Sequence, residues 1–120
     1  MTPASLHRWK ELHADVPMPK LERKRIMGEK AMVQHIHLMK GCEVPMHSHA
    51  NEQIACVQSG MLQFSLDDLP SGRRVVNVGA GDVLVLPANV PHAAVALEDT
   101  IVLDVFSPPS QTTGIDVGKK

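Results

Sequence analysis

The sequence predicts an all-β domain, a sandwich or barrel of short strands. From Lys20 onward apolar residues recur with period two, the spacing of a half-buried strand. These alternating runs are short, and clusters of Gly, Pro, Asp and Ser separate them at fairly regular intervals. The chain has 120 residues, which suits one domain able to bury a core without disulfides or other staples.

The elements follow in order. Residues 5–16 carry Leu6, Trp9 and Leu12, the pattern of a short helical turn or an arm lying on the domain, and Pro17 and Pro19 end it. Strands are expected over 21–27 and 31–39, joined by a turn at Gly28-Glu29-Lys30. Further strands are expected over 53–57, 61–66, 74–78, 82–86, 92–96 and 101–106. Turn signals separate them, among them Ser59-Gly60, Gly79-Ala80-Gly81 and Pro87-Ala88-Asn89. After Ser107-Pro108-Pro109 the chain turns polar and Gly-rich. The expected organisation is an N-terminal arm over 1–19, a single barrel over 20–110 and a flexible tail over 111–120.

Composition excludes several function classes. Net charge is -1, so no overall field draws the chain to nucleic acid or to an anionic membrane. One Trp, two Phe and no Tyr leave no stacking platform for single-stranded bases. No run of 18 apolar residues occurs, and the N-terminus lacks the pattern of a secretory leader. Cys42 and Cys56 show no metal or redox spacing, which fits reduced thiols in a cytoplasm. Lys and Arg concentrate before residue 41, and the run Glu22-Arg23-Lys24-Arg25 reads as a solvated strand face.

The chemistry concentrates in Gly41-Cys42-Glu43-Val44-Pro45-Met46-His47-Ser48-His49-Ala50-Asn51-Glu52-Gln53. On a strand, residues i and i+2 share a face, so His47 and His49 point the same way and can bind one ion. Zinc, nickel, iron and manganese all accept imidazole nitrogen. Further ligands must come from elsewhere, and Gln53 and His92 are available. A second HxH pair, His35 and His37, alternates with Gln34, Ile36 and Leu38. The latter set is the better interior face, so His35 and His37 point outward or into a subunit interface. His7 and His13 fall in the exposed arm.

Gly41, five residues, His47-x-His49, three residues, Gln53, six residues, Gly60 resembles the first cupin motif. Gly81, five residues, Pro87, four residues, His92 resembles the second. The resemblance implies a double-stranded β-helix, the jelly-roll barrel, with His47, His49, Gln53 and His92 converging on one divalent ion: Zn, Ni, Fe or Mn. In register from Gly60 the ligand is Gln53, and Glu52 points to the opposite face. Two positions depart from the motif: Asn89 stands for a glycine and Ala96 for an asparagine. Asn tolerates positive φ best after Gly, so the turn survives. Gln53 stands where many cupins carry Glu. With neutral ligands the ion keeps its full charge, which favours Lewis-acid chemistry over the carboxylate-bearing iron oxygenase set.

The segment 97–109 and the HRWKEL stretch around Trp9 resemble small cupins of the pectin-degradation type. Characterised enzymes of that group convert 4,5-unsaturated uronates to their linear keto form. The resemblance assigns Asp104 as general acid/base and Phe106 as a pocket wall. The group's carboxylate-gripping Arg is replaced here by Ser110, leaving Arg23 or Arg25 as possible substitutes. Two alternatives stay open: another metal-dependent cupin enzyme, a dioxygenase or sugar isomerase, and a non-catalytic small-molecule-binding cupin. The expected partners are a small molecule and a second copy of the chain in a homodimer, because exposed sheet edges need covering.

Overall fold

The computed structural model describes residues 2–116. Among them, ten strands form two antiparallel sheets. In chain order they are β1 (Asp15–Met18), β2 (Leu21–Met27), β3 (Met32–Leu38), β4 (Glu43–His47) and β5 (Glu52–Ser59). Then come β6 (Met61–Leu69), β7 (Gly72–Gly79), β8 (Val83–Leu86), β9 (His92–Ala96) and β10 (Thr100–Ser107). One sheet has the order β1-β2-β3-β10-β5-β8, the other β4-β9-β6-β7. This is the jelly-roll arrangement that the strand pattern and motifs imply.

Strict alternation builds the core. On β3, Met32, Gln34, Ile36 and Leu38 are buried, while Val33, His35 and His37 are half-buried on the other face. On β10 the buried set is Thr100, Val102, Asp104 and Phe106. Leu62, Phe64, Leu66 and Val78 of the second sheet pack against Ile36, Leu38 and Val102 of the first. Each such apolar side chain contributes about 1.5–3 kcal/mol by leaving water. Two of the inward residues, Gln34 and Asp104, are polar and face each other across the β3–β10 ladder. At the β5–β6 turn, Gly60 has φ +87, and a Cβ there would run into the Asp99 carbonyl and the Thr100 hydroxyl. Only glycine fits that approach.

Two strands were given no bounds in the sequence reading, and each contains a proline. β1 holds Pro17 and β4 holds Pro45. Both are the outermost strands of their sheets, where a ladder accepts proline. The expected N-terminal helical turn shrinks to one 3-10 turn at Trp9–Glu11, and residues 15–18 join the sheet instead.

The Glu22-Arg23-Lys24-Arg25 run is not a solvated face. Arg23 shares the inward phase of β2 with Leu21 and is 2% exposed. Its Nε and Nη2 donate to Asp15 at 3.1 and 2.6 Å, and its Nη1 and Nη2 donate to Asp116 at 2.8 and 3.0 Å. A buried guanidinium needs this pairing. It also ties down residues 111–116, the described part of the expected flexible tail. Thr113 is buried, Ile115 packs on the core, and a 3-10 turn spans Gly114–Asp116. The rest of that tail, 117–120, lies outside the described residues.

Asp116→Ala should lower the unfolding free energy by about 3 kcal/mol in urea titrations, because Arg23 then stays buried with only half-exposed Asp15. Hydrogen bonds from Arg23 also hold the Asp15 carboxyl below its ordinary value of 3.8. A depressed folded value stabilises above the unfolded value and is lost as pH falls through the folded one. Wild type should therefore lose stability more steeply than Asp15→Asn as pH falls below about 3.8.

Candidate metal centre

Three elements bring the histidines together. His47 ends β4, His92 opens β9, and the two are cross-strand partners. His49 lies in the bend beyond β4, so the shared-strand geometry expected for the HxH pair does not hold at His49. A different contact places it. Asn89, at φ +67, turns the β8–β9 loop so that its N–H donates to the His49 carbonyl at 2.8 Å. The asparagine that replaces the motif glycine thus keeps the left-handed turn.

The rings gather with centroids 5.7 Å (His47–His49), 4.3 Å (His47–His92) and 5.1 Å (His49–His92) apart. One nitrogen of each lies within 4.8 Å of the others, a group able to hold a metal ion. Backbone carbonyls orient them. His47 Nδ1 meets Pro45 O at 2.7 Å, His49 Nδ1 meets Asn51 O at 3.0 Å, and His92 Nδ1 meets Val90 O at 2.9 Å. A carbonyl only accepts, so each Nδ1 carries the proton and each Nε2 keeps its lone pair for an ion. Burial lowers the His47 pKa and takes that of His92 down to about 4, which favours the neutral, ligating form of both.

Gln53 is the second residue of β5 and is 7% exposed, while Glu52 before it points outward. Its Oε1 lies 3.2 Å from His49 Nε2. With the His49 proton on Nδ1, these are two lone pairs face to face, an arrangement that a cation relieves. Two ligands about 2.1 Å from one ion, at right angles, stand about 3 Å apart. The donor set therefore fits a divalent ion. Gln53 Nε2 donates to Asp104 Oδ1 at 3.0 Å, which fixes the amide with its oxygen toward the histidines.

Asp104 is buried, and burial pushes its carboxyl up to about 7, against the pull of the Gln53 hydrogen bond. Phe106, opposite Gln53 in register, sets its ring 5.5 Å from His49. These side chains line a cavity of about 60 Å³ that Gln34, Val44, Phe64, Thr113 and Ile115 also wall. No Lys or Arg lines it among the described residues. Arg23 is engaged by two aspartates, and Arg25 gives Nη1 to the Gln111 carbonyl at 2.9 Å. Ser110 donates its hydroxyl to Thr112 O and does not line the cavity.

The remaining candidates lie elsewhere. His35 and His37 face away from the cavity, His35 with its ring 5.6 Å from Trp9. Cys42 is buried, its thiol pushed up by burial, and Cys56 is half-buried. Three contributors to the cavity were not singled out as site residues from the sequence. Gln34 was legible as a polar residue in the inward phase of β3. Thr113 and Ile115 sit beyond the last strand, where no periodicity signals their burial.

The family model for the cupin domain matches residues 34–106. No curated protein sequence matches the chain. Among solved structures, KdgF from Halomonas sp. is 28% identical with a TM-score of 0.79, over 88% of this chain and 96% of that one. An RmlC-like cupin from Shewanella frigidimarina is 24% identical with a TM-score of 0.79, over 91% of this chain and 95% of that one. Oxalate decarboxylase from Bacillus subtilis, 19% identical with a TM-score of 0.83, matches 95% of this chain with 32% of its own. The last two likenesses are of fold alone.

Titration with zinc or nickel should saturate near one equivalent per chain and raise the melting temperature, since an ion that binds only the folded state stabilises it. His92→Ala should weaken that binding by about a hundredfold or more, beyond the loss expected for an outer hydrogen-bond partner. Calorimetry and elemental analysis check both.

Proposed function

The chain belongs to the cupin family, and we propose that it converts a 4,5-unsaturated uronate to its linear keto form with a divalent ion as cofactor. The observation that carries this reading is Asp104, buried in the wall of the histidine cavity with its carboxyl pushed up to about 7. A proton shuttle works best with a pKa near the working pH. The resemblance of segment 97–109 to pectin-degradation cupins supports the same assignment.

An ion held by His47, His49, His92 and Gln53 would supply Lewis-acid polarisation of a substrate oxygen. Asp104 takes the proton of the C1 hydroxyl as the bond between C1 and the ring oxygen breaks. The aldehyde forms at C1, and the released oxygen stays on C5 as an enolate. Asp104 then returns the proton to C4, and C5 becomes a ketone. One C–O bond breaks, one C–H bond forms, and no electrons are gained or lost. Gln53 holds the Asp104 carboxyl in place through its Nε2, 3.0 Å away. Phe106 supplies an apolar wall that excludes water from the enolate.

A second reading is favoured by one observation: no Lys or Arg lines the cavity among the described residues. An uncharged, oxygen-rich molecule would need no guanidinium, whether transformed or only bound.

The test is loss of the unsaturated-uronate absorbance with nickel-loaded protein. Asp104→Asn should lower kcat by about 10²–10⁴-fold while leaving metal stoichiometry at the wild-type value. Absence of turnover by the loaded wild type would overturn the uronate reading in favour of the second.

A further inference from the structure

Gln34 has no part in the proton transfer described above, yet it is the most conspicuous polar group in the barrel. It occupies the inward phase of β3 between Met32 and Ile36 and is 1% exposed. Among the described residues, its Nε2 is the one buried side-chain nitrogen or oxygen without a hydrogen-bond partner. An amide N–H buried this way is unfavourable, so its retention calls for an explanation. Asp104 does not supply the partner. It stands directly across the β3–β10 ladder, but Asp104 Oδ1 takes its hydrogen bond from Gln53.

The cavity supplies the explanation. Gln34 lines it together with His49, Gln53, Asp104 and Phe106. These side chains run as a connected series: His49 Nε2 to Gln53 Oε1 at 3.2 Å, Gln53 Nε2 to Asp104 Oδ1 at 3.0 Å, then Gln34 opposite Asp104. In the strand order β3-β10-β5, Gln34 therefore stands on the side of Asp104 away from the strand that carries Gln53. A ligand with oxygens at both ends can meet the histidine group at one end and an N–H donor at the other. With no Lys or Arg in the lining among the described residues, a neutral donor is what Gln34 offers there.

We propose that Gln34 is a ligand-positioning residue whose amide donates to the far oxygen of a small polyoxygenated ligand that spans the cavity from the histidines past Asp104. The assignment rests on the cavity being the ligand site, as under the proposed function, and not on the ligand being a uronate. In the ligand-free protein this N–H has no partner, and the ligand oxygen would supply one. Losing that contact weakens binding without removing any bond that holds the fold.

The experiment compares nickel-loaded wild type with Gln34→Met, which keeps the length and removes the amide. D-galacturonate and D-galactose are the probes in calorimetry, with ligand-free thermal unfolding and nickel stoichiometry measured alongside. The expected result is binding about tenfold weaker in the variant, with unchanged nickel content. The ligand-free melting temperature should equal or exceed that of wild type, because the methionine leaves no unpaired donor. Unchanged affinity in Gln34→Met overturns the proposal. So does a lower ligand-free melting temperature, which would give the amide a structural partner, and so does failure of both probes to bind wild type. If galactose binds and is weakened by Gln34→Met while galacturonate does not bind, Gln34 keeps its role and the uronate reading falls.

Discussion

A carboxyl group, two amides and three imidazoles lie inside a barrel of apolar side chains, and every one of them needs a partner there. Removing such groups from water without compensation is costly, and the low local dielectric strengthens each contact that does form. The interior is organised by this requirement. Carbonyls of Pro45, Asn51 and Val90 take the Nδ1 protons of His47, His49 and His92. Gln53 turns its nitrogen to Asp104 and its oxygen to the histidines. Two loose ends remain, the meeting of lone pairs between His49 and Gln53 and the unpaired N–H of Gln34. The first suits a cation and the second an oxygen.

The same requirement closes one end of the barrel. Arg23 is buried on β2 and must be neutralised, and its two partners come from opposite ends of the chain. Asp15 brings in the edge strand β1. Asp116 brings in the C-terminal segment, whose Thr113 and Ile115 help wall the cavity. One ion-pair cluster thus couples chain termini, sheet edge and site. It also removes Arg23 from any role in gripping an anionic substrate.

Asp104 shows how burial becomes chemistry. The inward phase of β10 places it among Val102 and Phe106, burial raises its pKa towards neutrality, and Gln53 anchors it. A carboxyl so placed can hold or release a proton with little free-energy change. Among the described residues the lining offers no guanidinium for a carboxylate, and this is the structural reason for weighing uncharged ligands beside uronates.

Most of the fold was legible in the sequence, because alternation, turn residues and motif spacing are local properties of the chain. Strands β2 and β9 fall at the expected bounds, and the resemblance to the cupin motifs implied His47, His49, Gln53 and His92 as a group. What local pattern could not show follows from contacts between distant segments. Edge strands β1 and β4 were hidden by their prolines, because only sheet position makes a proline tolerable. His49 owes its placement to the backbone of Asn89 rather than to a shared strand. Arg23 looked solvated because its two counter-charges lie 8 and 93 residues away in sequence. The sequence by itself determined the all-β architecture and the chemical identity of the donor set. The tertiary structure decided which polar groups are paired and which are left open, since pairing depends on distances between strands that sequence spacing does not encode.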